Sequence, residues 1–162
     1  MTDTPIRVLM VCLGNICRSP TAEVVFRATL EKHNLAEHFY IDSAGTGSWH
    51  IGNPPDRRSM QAALNRNYDM SALRARQIVP DDMAKFDYVY AMDRQNLADI
   101  KELAASEHVD KLSLFLAHGN SEYDEVPDPY YSGADGFELV LDLIEDASAQ
   151  LVSNLAARHK LI

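Results

Sequence analysis

The sequence predicts an α/β fold built on a parallel sheet, and three features of the chain support this. Apolar runs of strand length alternate with stretches in which apolar residues recur at helical spacing. Neither an internal repeat nor a low-complexity linker interrupts the alternation. A length of 162 residues suits a single domain, 1–162. Strands separated by helices pair in parallel through right-handed crossovers, and such sheets bind ligands at the carboxyl ends of their strands.

The first part of the chain contains a strand, a helix and a second short strand. Residues 8–11 form an uninterrupted apolar run, which is typical of a strand buried on both faces. Residues 21–32 carry apolar side chains at helical spacing and predict a helix. We place Pro20 at the first position of that helix and Ser19 at its N-cap. Residues 39–41 are aromatic or β-branched, which favours a strand.

The rest of the chain continues the alternation. Residues 56–67 carry apolar side chains on one face and predict a helix, and 96–104 predict another. Two apolar runs, 88–92 and 112–116, are predicted strands. Residues 136–159 keep apolar side chains at helical spacing throughout, which predicts a long terminal helix.

The most informative segment follows the first predicted strand, where Cys12 and Arg18 bracket five residues. A tight loop between a strand and a helix directs backbone N–H groups and the positive end of the helix dipole toward one point. Such a loop binds a tetrahedral oxyanion, Gly14 lets the backbone approach it, and Arg18 offers a planar fork to phosphate oxygens. The same positive field favours Cys12 as a thiolate. The segment therefore predicts a cysteine nucleophile beneath a bound phosphate.

Cleavage of a phosphate monoester by a thiolate also needs a carboxylic acid that protonates the leaving oxygen. The candidates lie near a stretch rich in proline and tyrosine and are Asp124, Glu125, Asp128 and Asp135. Prolines on both sides of Asp128 restrict its position and favour it, but the pattern of residues leaves the other three open.

Several segments, taken together and in order, resemble the bacterial-type members of the low-molecular-weight protein tyrosine phosphatase family. The strongest is the octet Cys12-Leu13-Gly14-Asn15-Ile16-Cys17-Arg18-Ser19, which Pro20 follows. The others stand in the family's order at 42–46, 49–56, 74–77, 91–93 and 128–131, so the resemblance covers nearly the whole chain. It implies a flavodoxin-like sheet of four parallel strands, with helices on both faces and the phosphate-binding loop after the first strand. It also implies hydrolysis of phosphotyrosine and aryl phosphate monoesters through a cysteinyl-phosphate intermediate.

The resemblance further implies roles for individual residues. Cys12, Arg18 and Asp128 are the catalytic residues, with Asp128 as the general acid. Ser19 donates to the sulfur of Cys12, and Asn15 holds the shape of the loop. We expect an aromatic wall at the mouth of the cleft, which favours an aryl phosphate. The expected substrate-binding residues are Leu13, Gly14, Asn15, Ile16, Cys17, Ser19, Trp49, Tyr130 and Tyr131, supported from behind by Ser43 and Asp93 and at the rim by Asp56 and Arg58.

The chain departs from the family at one position. The family often has a histidine immediately before the segment matched by 74–77 and uses it to brace the loop asparagine. This chain has Leu73 there. We therefore expect the support of Asn15 to be incomplete or differently built.

Other activities found on related scaffolds fit the residues of this chain less well. Thioredoxin-linked arsenate reductases relay electrons through two further cysteines downstream, whereas this chain has only Cys12 and Cys17. Phosphoarginine phosphatases of the same family have threonine where Ile16 stands. A phosphocysteine carrier needs no leaving-group acid, so Arg18 and Asp128 count against it.

Composition limits which binding partners and which cellular compartment we expect. A net charge of −9 argues against nucleic acid and membrane surfaces as partners. The start, residues 1–5, lacks the features of a signal peptide, and two cysteines five apart are not a secreted disulfide framework, so we expect a cytoplasmic protein. The scattered histidines argue against a metal site. The expected mechanism needs no cofactor. We expect a monomer that binds phosphotyrosine-containing proteins and phosphate or other oxyanions, with Cys17 as a redox partner of Cys12.

Overall fold

The computed structural model describes residues 4–162 and contains one sheet of four parallel strands in the order β2-β1-β3-β4. The strands are β1 (Ile6–Cys12), β2 (Phe39–Gly45), β3 (Tyr88–Ala91) and β4 (Leu112–Leu114). The predicted parallel α/β fold is therefore confirmed. The sequence analysis expected no signal peptide at residues 1–5. Of these, residues 1–3 lie outside the range that the structure describes.

Helices cover both faces of the sheet. They are α1 (Arg18–Lys32), α2 (Arg57–Leu64), α3 (Asp81–Lys85), α4 (Arg94–Leu103) and α5 (Ala134–Arg158). Short 3-10 turns lie at Ala36–His38, Ser106–Lys111 and Phe115–His118. Helix α3 and these turns were not predicted, because a segment of six residues or fewer is too short to show a helical period. Among residues 4–162, no helix is long and apolar enough to cross a membrane.

Strand β1 is buried on both faces, which explains its uninterrupted apolar sequence. Val8, Met10 and Cys12 belong to the hydrophobic core that also includes residues of α1 and α5. Leu9 and Val11 point the other way, into the core that includes residues of α3 and α4. This alternation is the ordinary geometry of a strand between two layers.

The predicted start of the first helix is wrong. Helix α1 begins at Arg18, and its N-cap is Cys17, which makes no side-chain capping bond. Ser19 is therefore not the N-cap. It lies in the first turn, and its hydroxyl oxygen is 3.0 Å from Sγ of Cys12. Pro20 is also in the first turn, where a missing N–H removes no intrahelical bond.

The strand predicted at 112–116 ends at Leu114, and a 3-10 turn begins at Phe115. Among the other boundaries that differ, two have identifiable reasons. Strand β2 runs four residues beyond the predicted 39–41, because the polar residues Asp42 and Ser43 broke the apolar pattern there. Helix α4 begins at Arg94, since Asp93 and Asn96 form a reciprocal capping box.

The order of the strands determines where a ligand can bind. Strand β1 lies between β2 and β3, so the chain leaves β1 toward one side of the sheet and later returns on the other. A crevice forms at the carboxyl ends of the two strands where the direction changes. Cys12 ends β1 at this point, and Asp93 follows the end of β3.

Candidate active site

The loop between β1 and α1, residues 13–17, turns carbonyl groups outward. The carbonyl oxygens of Cys12 and Leu13 each accept a hydrogen bond of 2.9 Å from backbone N–H groups just after β2, and that of Ile16 accepts one of 2.8 Å from Asp56. In a trans peptide the C=O and N–H groups point in opposite directions, so the N–H groups of the residues that follow are directed inward. Together with the N-terminus of α1, they form a positively polarised cradle.

Cys12 lies at the base of this cradle and is 2% exposed. Its Sγ is 3.0 Å from Oγ of Ser19 and accepts a hydrogen bond of 3.3 Å from the backbone N–H of Asn15. Donors to sulfur stabilise the thiolate over the thiol. The site therefore holds a sulfur atom where the backbone donors converge.

Asn15 supports the loop from inside. Its backbone is left-handed, with φ of 58°, a conformation that asparagine tolerates. Its side-chain nitrogen donates to Oγ of Ser19 at 2.8 Å and to Oγ of Ser43 at 3.0 Å, and its oxygen accepts from the backbone N–H of Arg76 at 3.0 Å. Leu73 packs against the hydrophobic core instead. The support of Asn15 is thus differently built, with a backbone amide as its third partner.

The hydrogen-bond network extends to Glu23, which the sequence analysis missed. The hydroxyl of Ser43 donates to Oε1 of Glu23 at 2.6 Å, and Arg27 donates to Oε2 at 2.7 Å. Ser19, Glu23 and Arg27 are spaced four residues apart on α1, which places them on one helical face. That spacing could have revealed Glu23 from the sequence. No sequence signal pointed to Arg76, because it joins the network through its backbone N–H.

Arg18 is buried beside the cradle and is held by groups from two other segments. Its Nη1 donates to Oδ2 of Asp93 at 2.6 Å and to the carbonyl oxygen of Val126 at 3.1 Å. Burial alone would lower the pKa of Arg18, but the charge of Cys12 and the bond to Asp93 raise it above its ordinary value. The guanidinium is therefore a fixed cation at the mouth of the cradle.

Asp128 stands across from the loop. Its Oδ2 lies 3.7 Å from Nη2 of Arg18, and its Oδ1 accepts from the backbone N–H of Tyr130 at 3.1 Å. The side chain is half-exposed, so it can reach both a ligand and water. This carboxyl group therefore lies at the rim beside Arg18, where it is open to a ligand.

The other three candidate acids have different surroundings. Asp124 and Glu125 are both bound to Arg94, and the hydrogen bond from Arg94 lowers the pKa of Asp124. Asp135 lies in the first turn of α5. Among these candidates, Asp128 is the one that the described ion pairs bring to Arg18.

The predicted aromatic wall is exposed. Trp49 is 71% and Tyr131 is 96% exposed, and the ring of Tyr130 meets that of Tyr131 edge-on at 5.0 Å between centroids. The guanidinium of Arg58 lies 5.2 Å over Tyr130. A Cβ atom on Gly47 would lie 2.0 Å from Cζ3 of Trp49, so the indole rests directly on that glycine. Contact of these rings with a substrate stays a prediction.

The remaining loop positions are mostly enclosed. Ile16 and Cys17 are buried, and neither Cys12 nor Cys17 forms a disulfide. Burial raises the pKa of the Cys17 thiol to about 12, so it is protonated near neutral pH. A Cβ atom on Gly14 would lie 3.1 Å from Cδ2 of His50, which places that histidine against the loop. The sequence analysis did not single out His50.

Within residues 4–162, no group of three or more histidine, cysteine or carboxylate side chains is placed to hold a metal ion. The described residues bring together a sulfur, a set of N–H donors, a guanidinium and a carboxyl group.

Comparison with known proteins gave matches over nearly the whole chain. The sequence model of the low molecular weight phosphotyrosine protein phosphatase family matches residues 7–161. The low molecular weight protein-tyrosine-phosphatase YfkJ of Bacillus subtilis is 38% identical over 157 residues, which cover 96% of this chain and 99% of that protein.

Solved structures agree with the sequence comparison. A protein tyrosine phosphatase from Entamoeba histolytica, with Hepes in its active site, superposes with a TM-score of 0.91 at 35% identity, covering 97% of this chain and 99% of that one. Wzb of Vibrio vulnificus in complex with benzylphosphonate gives a TM-score of 0.81 at 26% identity, covering 93% and 96%.

Gly45 provides a test of how tightly β2 supports the loop. A Cβ atom there would lie 2.7 Å from the carbonyl oxygen of Leu13 and 3.1 Å from the nitrogen of Asn15. We expect Gly45→Ala to displace the loop and lower the free energy of unfolding by about 1–3 kcal/mol in urea titrations. Gly133→Ala is the control, since a Cβ atom there meets nothing within 4 Å. Equal losses in both variants would contradict the tight contact.

Proposed function

This chain belongs to the low molecular weight phosphotyrosine protein phosphatase family, and from that premise we propose how its residues carry out the reaction. The protein is a protein-tyrosine phosphatase, a phosphoric monoester hydrolase. We assign Cys12 as the nucleophile, Arg18 as the phosphate-binding cation and Asp128 as the general acid. The observation that carries the assignment concerns the sulfur of Cys12. It accepts a hydrogen bond from the backbone N–H of Asn15 and lies 3.0 Å from Oγ of Ser19, inside a loop of inward-facing N–H groups.

In the first step the thiolate of Cys12 attacks phosphorus in line with the leaving oxygen. A P–S bond forms as the P–O bond breaks, and Asp128 gives its proton to the departing phenolate oxygen. The loop N–H groups and Arg18 donate to the oxygens on which charge develops. These donors are fixed by other parts of the fold, so little reorganisation is needed when the charge appears.

In the second step a water molecule attacks the phosphorus of the cysteinyl-phosphate. The carboxylate of Asp128 takes a proton from this water, the P–S bond breaks, and inorganic phosphate is released. The electron pair returns to the sulfur of Cys12. Ser19 and the backbone N–H of Asn15 donate to it, which makes the thiolate a better leaving group.

The ligands of the structural relatives support binding of tetrahedral oxyanions. Hepes carries a sulfonate and benzylphosphonate an aryl-bearing phosphonate, and each is held by a relative of similar fold. We propose that phosphate occupies the loop of this chain and that Trp49, Tyr130 and Tyr131 contact the ring of phosphotyrosine. The proposed partners are phosphotyrosine-containing proteins in the cytoplasm, and the proposed active unit is a monomer of one domain, 1–162, without a cofactor.

The alternative activities find less support. The relative from Bacillus subtilis is named a protein-tyrosine-phosphatase, and this chain lacks the further cysteines of an arsenate reductase. Ile16 presents an apolar side chain where a phosphoarginine phosphatase has a hydroxyl.

Substitution of Cys12 and Arg18 separates chemistry from binding. We expect Cys12→Ser to lower turnover at least about 10³-fold while inorganic phosphate still binds, because the N–H donors do not depend on sulfur. Arg18→Lys should weaken both phosphate binding and turnover, since an ammonium cannot offer the planar fork. Calorimetry with phosphate and steady-state kinetics measure the two effects. Arg66→Lys, in an ion-pair cluster with α5, is the control. Turnover by Cys12→Ser near the wild-type rate would exclude the covalent route.

The role of Asp128 depends on the leaving group. We expect Asp128→Asn to slow hydrolysis of phosphotyrosine by roughly 10²–10⁴. An activated aryl phosphate should be affected much less, because its phenolate departs without a proton. Asp135→Asn is the matched control and should leave both rates near those of the wild type. Similar losses on both substrates in Asp128→Asn would show that another group is the acid.

The two loop cysteines form a proposed redox pair. Peroxide would oxidise the Cys12 thiolate to a sulfenic acid and be reduced to water, and Cys17 would then attack that sulfur and release a second water. The high pKa of Cys17 makes this closure slow near neutral pH. We expect a reductant to restore peroxide-treated wild type but to restore Cys17→Ser far less. Peptide mass spectrometry showing oxidised Cys12 beside free Cys17 would rule out the pair.

A further inference from the structure

A buried carboxylate with no direct part in the proposed chemistry lies behind the loop. Glu23 is 4% exposed. Its Oε1 accepts from the hydroxyl of Ser43 at 2.6 Å, and its Oε2 accepts from Arg27 at 2.7 Å. A buried charge is costly unless it is paired and hydrogen-bonded, and these two partners meet both needs.

The bond between Glu23 and Ser43 sets the direction of every further hydrogen bond toward Cys12. A carboxylate only accepts, so the single proton of the Ser43 hydroxyl is used on Glu23. Ser43 must then accept, and it does so from the side-chain nitrogen of Asn15 at 3.0 Å. The same nitrogen donates its second hydrogen to Ser19 at 2.8 Å. The hydroxyl of Ser19 then has two acceptors within reach, Sγ of Cys12 at 3.0 Å and the carbonyl oxygen of Ala44 at 3.4 Å, and the sulfur is the nearer of the two.

The competing state has the amide of Asn15 turned over. Its oxygen would then accept from both serines, and the proton of Ser19 would point away from the sulfur. Two groups oppose this state. The backbone N–H of Arg76 donates to the amide oxygen at 3.0 Å, and Glu23 keeps the proton of Ser43 occupied through a charge-assisted bond.

We propose that Glu23 is a positioning residue for Cys12. Its carboxylate orders the protons of Ser43, Asn15 and Ser19, so that the last of them donates to the sulfur and favours the thiolate. The proposal rests on the proposed function in taking Cys12 as the nucleophile. It assigns to a residue outside the phosphate-binding loop a part in preparing that nucleophile.

The charge of Glu23 and its hydrogen bonds act on the thiolate with opposite signs. By charge alone, an anion disfavours a second anion nearby, so loss of Glu23 would favour the thiolate. The hydrogen bonds act the other way, because loss of Glu23 removes their order and so disfavours the thiolate. Arg27 pairs with the carboxylate at 2.7 Å and offsets its charge, so the effect of the hydrogen bonds is the larger one.

The test measures alkylation of Cys12 by iodoacetamide between pH 4 and pH 8, with the modified peptide identified by mass spectrometry. Glu23→Met fills the space of the carboxylate without its acceptor, and Glu23→Ala is the second variant in case the first does not fold. We expect the midpoint of the alkylation curve to move to higher pH and the rate at pH 6 to fall about three- to tenfold. The limiting rate at high pH and the dissociation constant of inorganic phosphate should be unchanged.

A double-mutant cycle tests whether Glu23 acts on Cys12 through Ser43. In Ser43→Ala the competing proton is absent, so adding Glu23→Met should cause no further shift. Glu145→Met is the matched control, because Glu145 also accepts from an arginine and a hydroxyl, those of Arg66 and Tyr68, each at 2.7 Å. It should lose stability without moving the alkylation curve.

These readouts do not require phosphatase activity. Absence of hydrolysis by the wild type would overturn the proposed function and leave the alkylation curves interpretable. An unchanged or lower midpoint in folded Glu23→Met, or a full shift in the Ser43→Ala background, would overturn the role of Glu23.

Discussion

The loop after β1 can bind an anion because its carbonyl groups are bonded to other parts of the fold. Backbone N–H groups after β2 and at Asp56 hold the carbonyls of Cys12, Leu13 and Ile16 outward. The inward N–H groups follow from the geometry of the peptide. Strand β2 and the segment after it therefore shape the site although they supply no reacting group. This arrangement also lets a chain of net charge −9 present positive potential at one place.

Asp93 shows how the fold and the site share one group. One carboxylate oxygen accepts from the N–H of Asn96 at 2.7 Å and starts α4, and the other accepts from Arg18 at 2.6 Å. The cap fixes the carboxylate, and the carboxylate fixes the guanidinium. Arg18 is thus oriented by the end of β3 as well as by its own helix, so both strands at the switch point contribute to the phosphate site.

The local parts of the site could be predicted from sequence, and the long-range parts could not. An apolar run, a cysteine, a glycine and an arginine in register were enough to predict the strand, the loop and the helix. The flanking prolines favoured Asp128 among four carboxyl groups, but the family resemblance was needed to select it, because a loop leaves no periodic signal. The contact between Asn15 and Arg76 uses a backbone amide, which any residue would provide. Glu23 had a signal in its spacing from Ser19, but a charged residue on a helix is ordinarily taken to face solvent.

The central claim is that the sulfur of Cys12 carries the phosphoryl group between the two steps. The most direct measurement is rapid acid quenching of the wild type during turnover of an aryl phosphate, followed by mass spectrometry of the peptides. The account predicts a phosphoryl group on the peptide containing Cys12, lost when Cys12 is replaced by serine. A peptide that stays unmodified while product accumulates in a burst, or a phosphoryl group on Ser19 in the wild type, would contradict it.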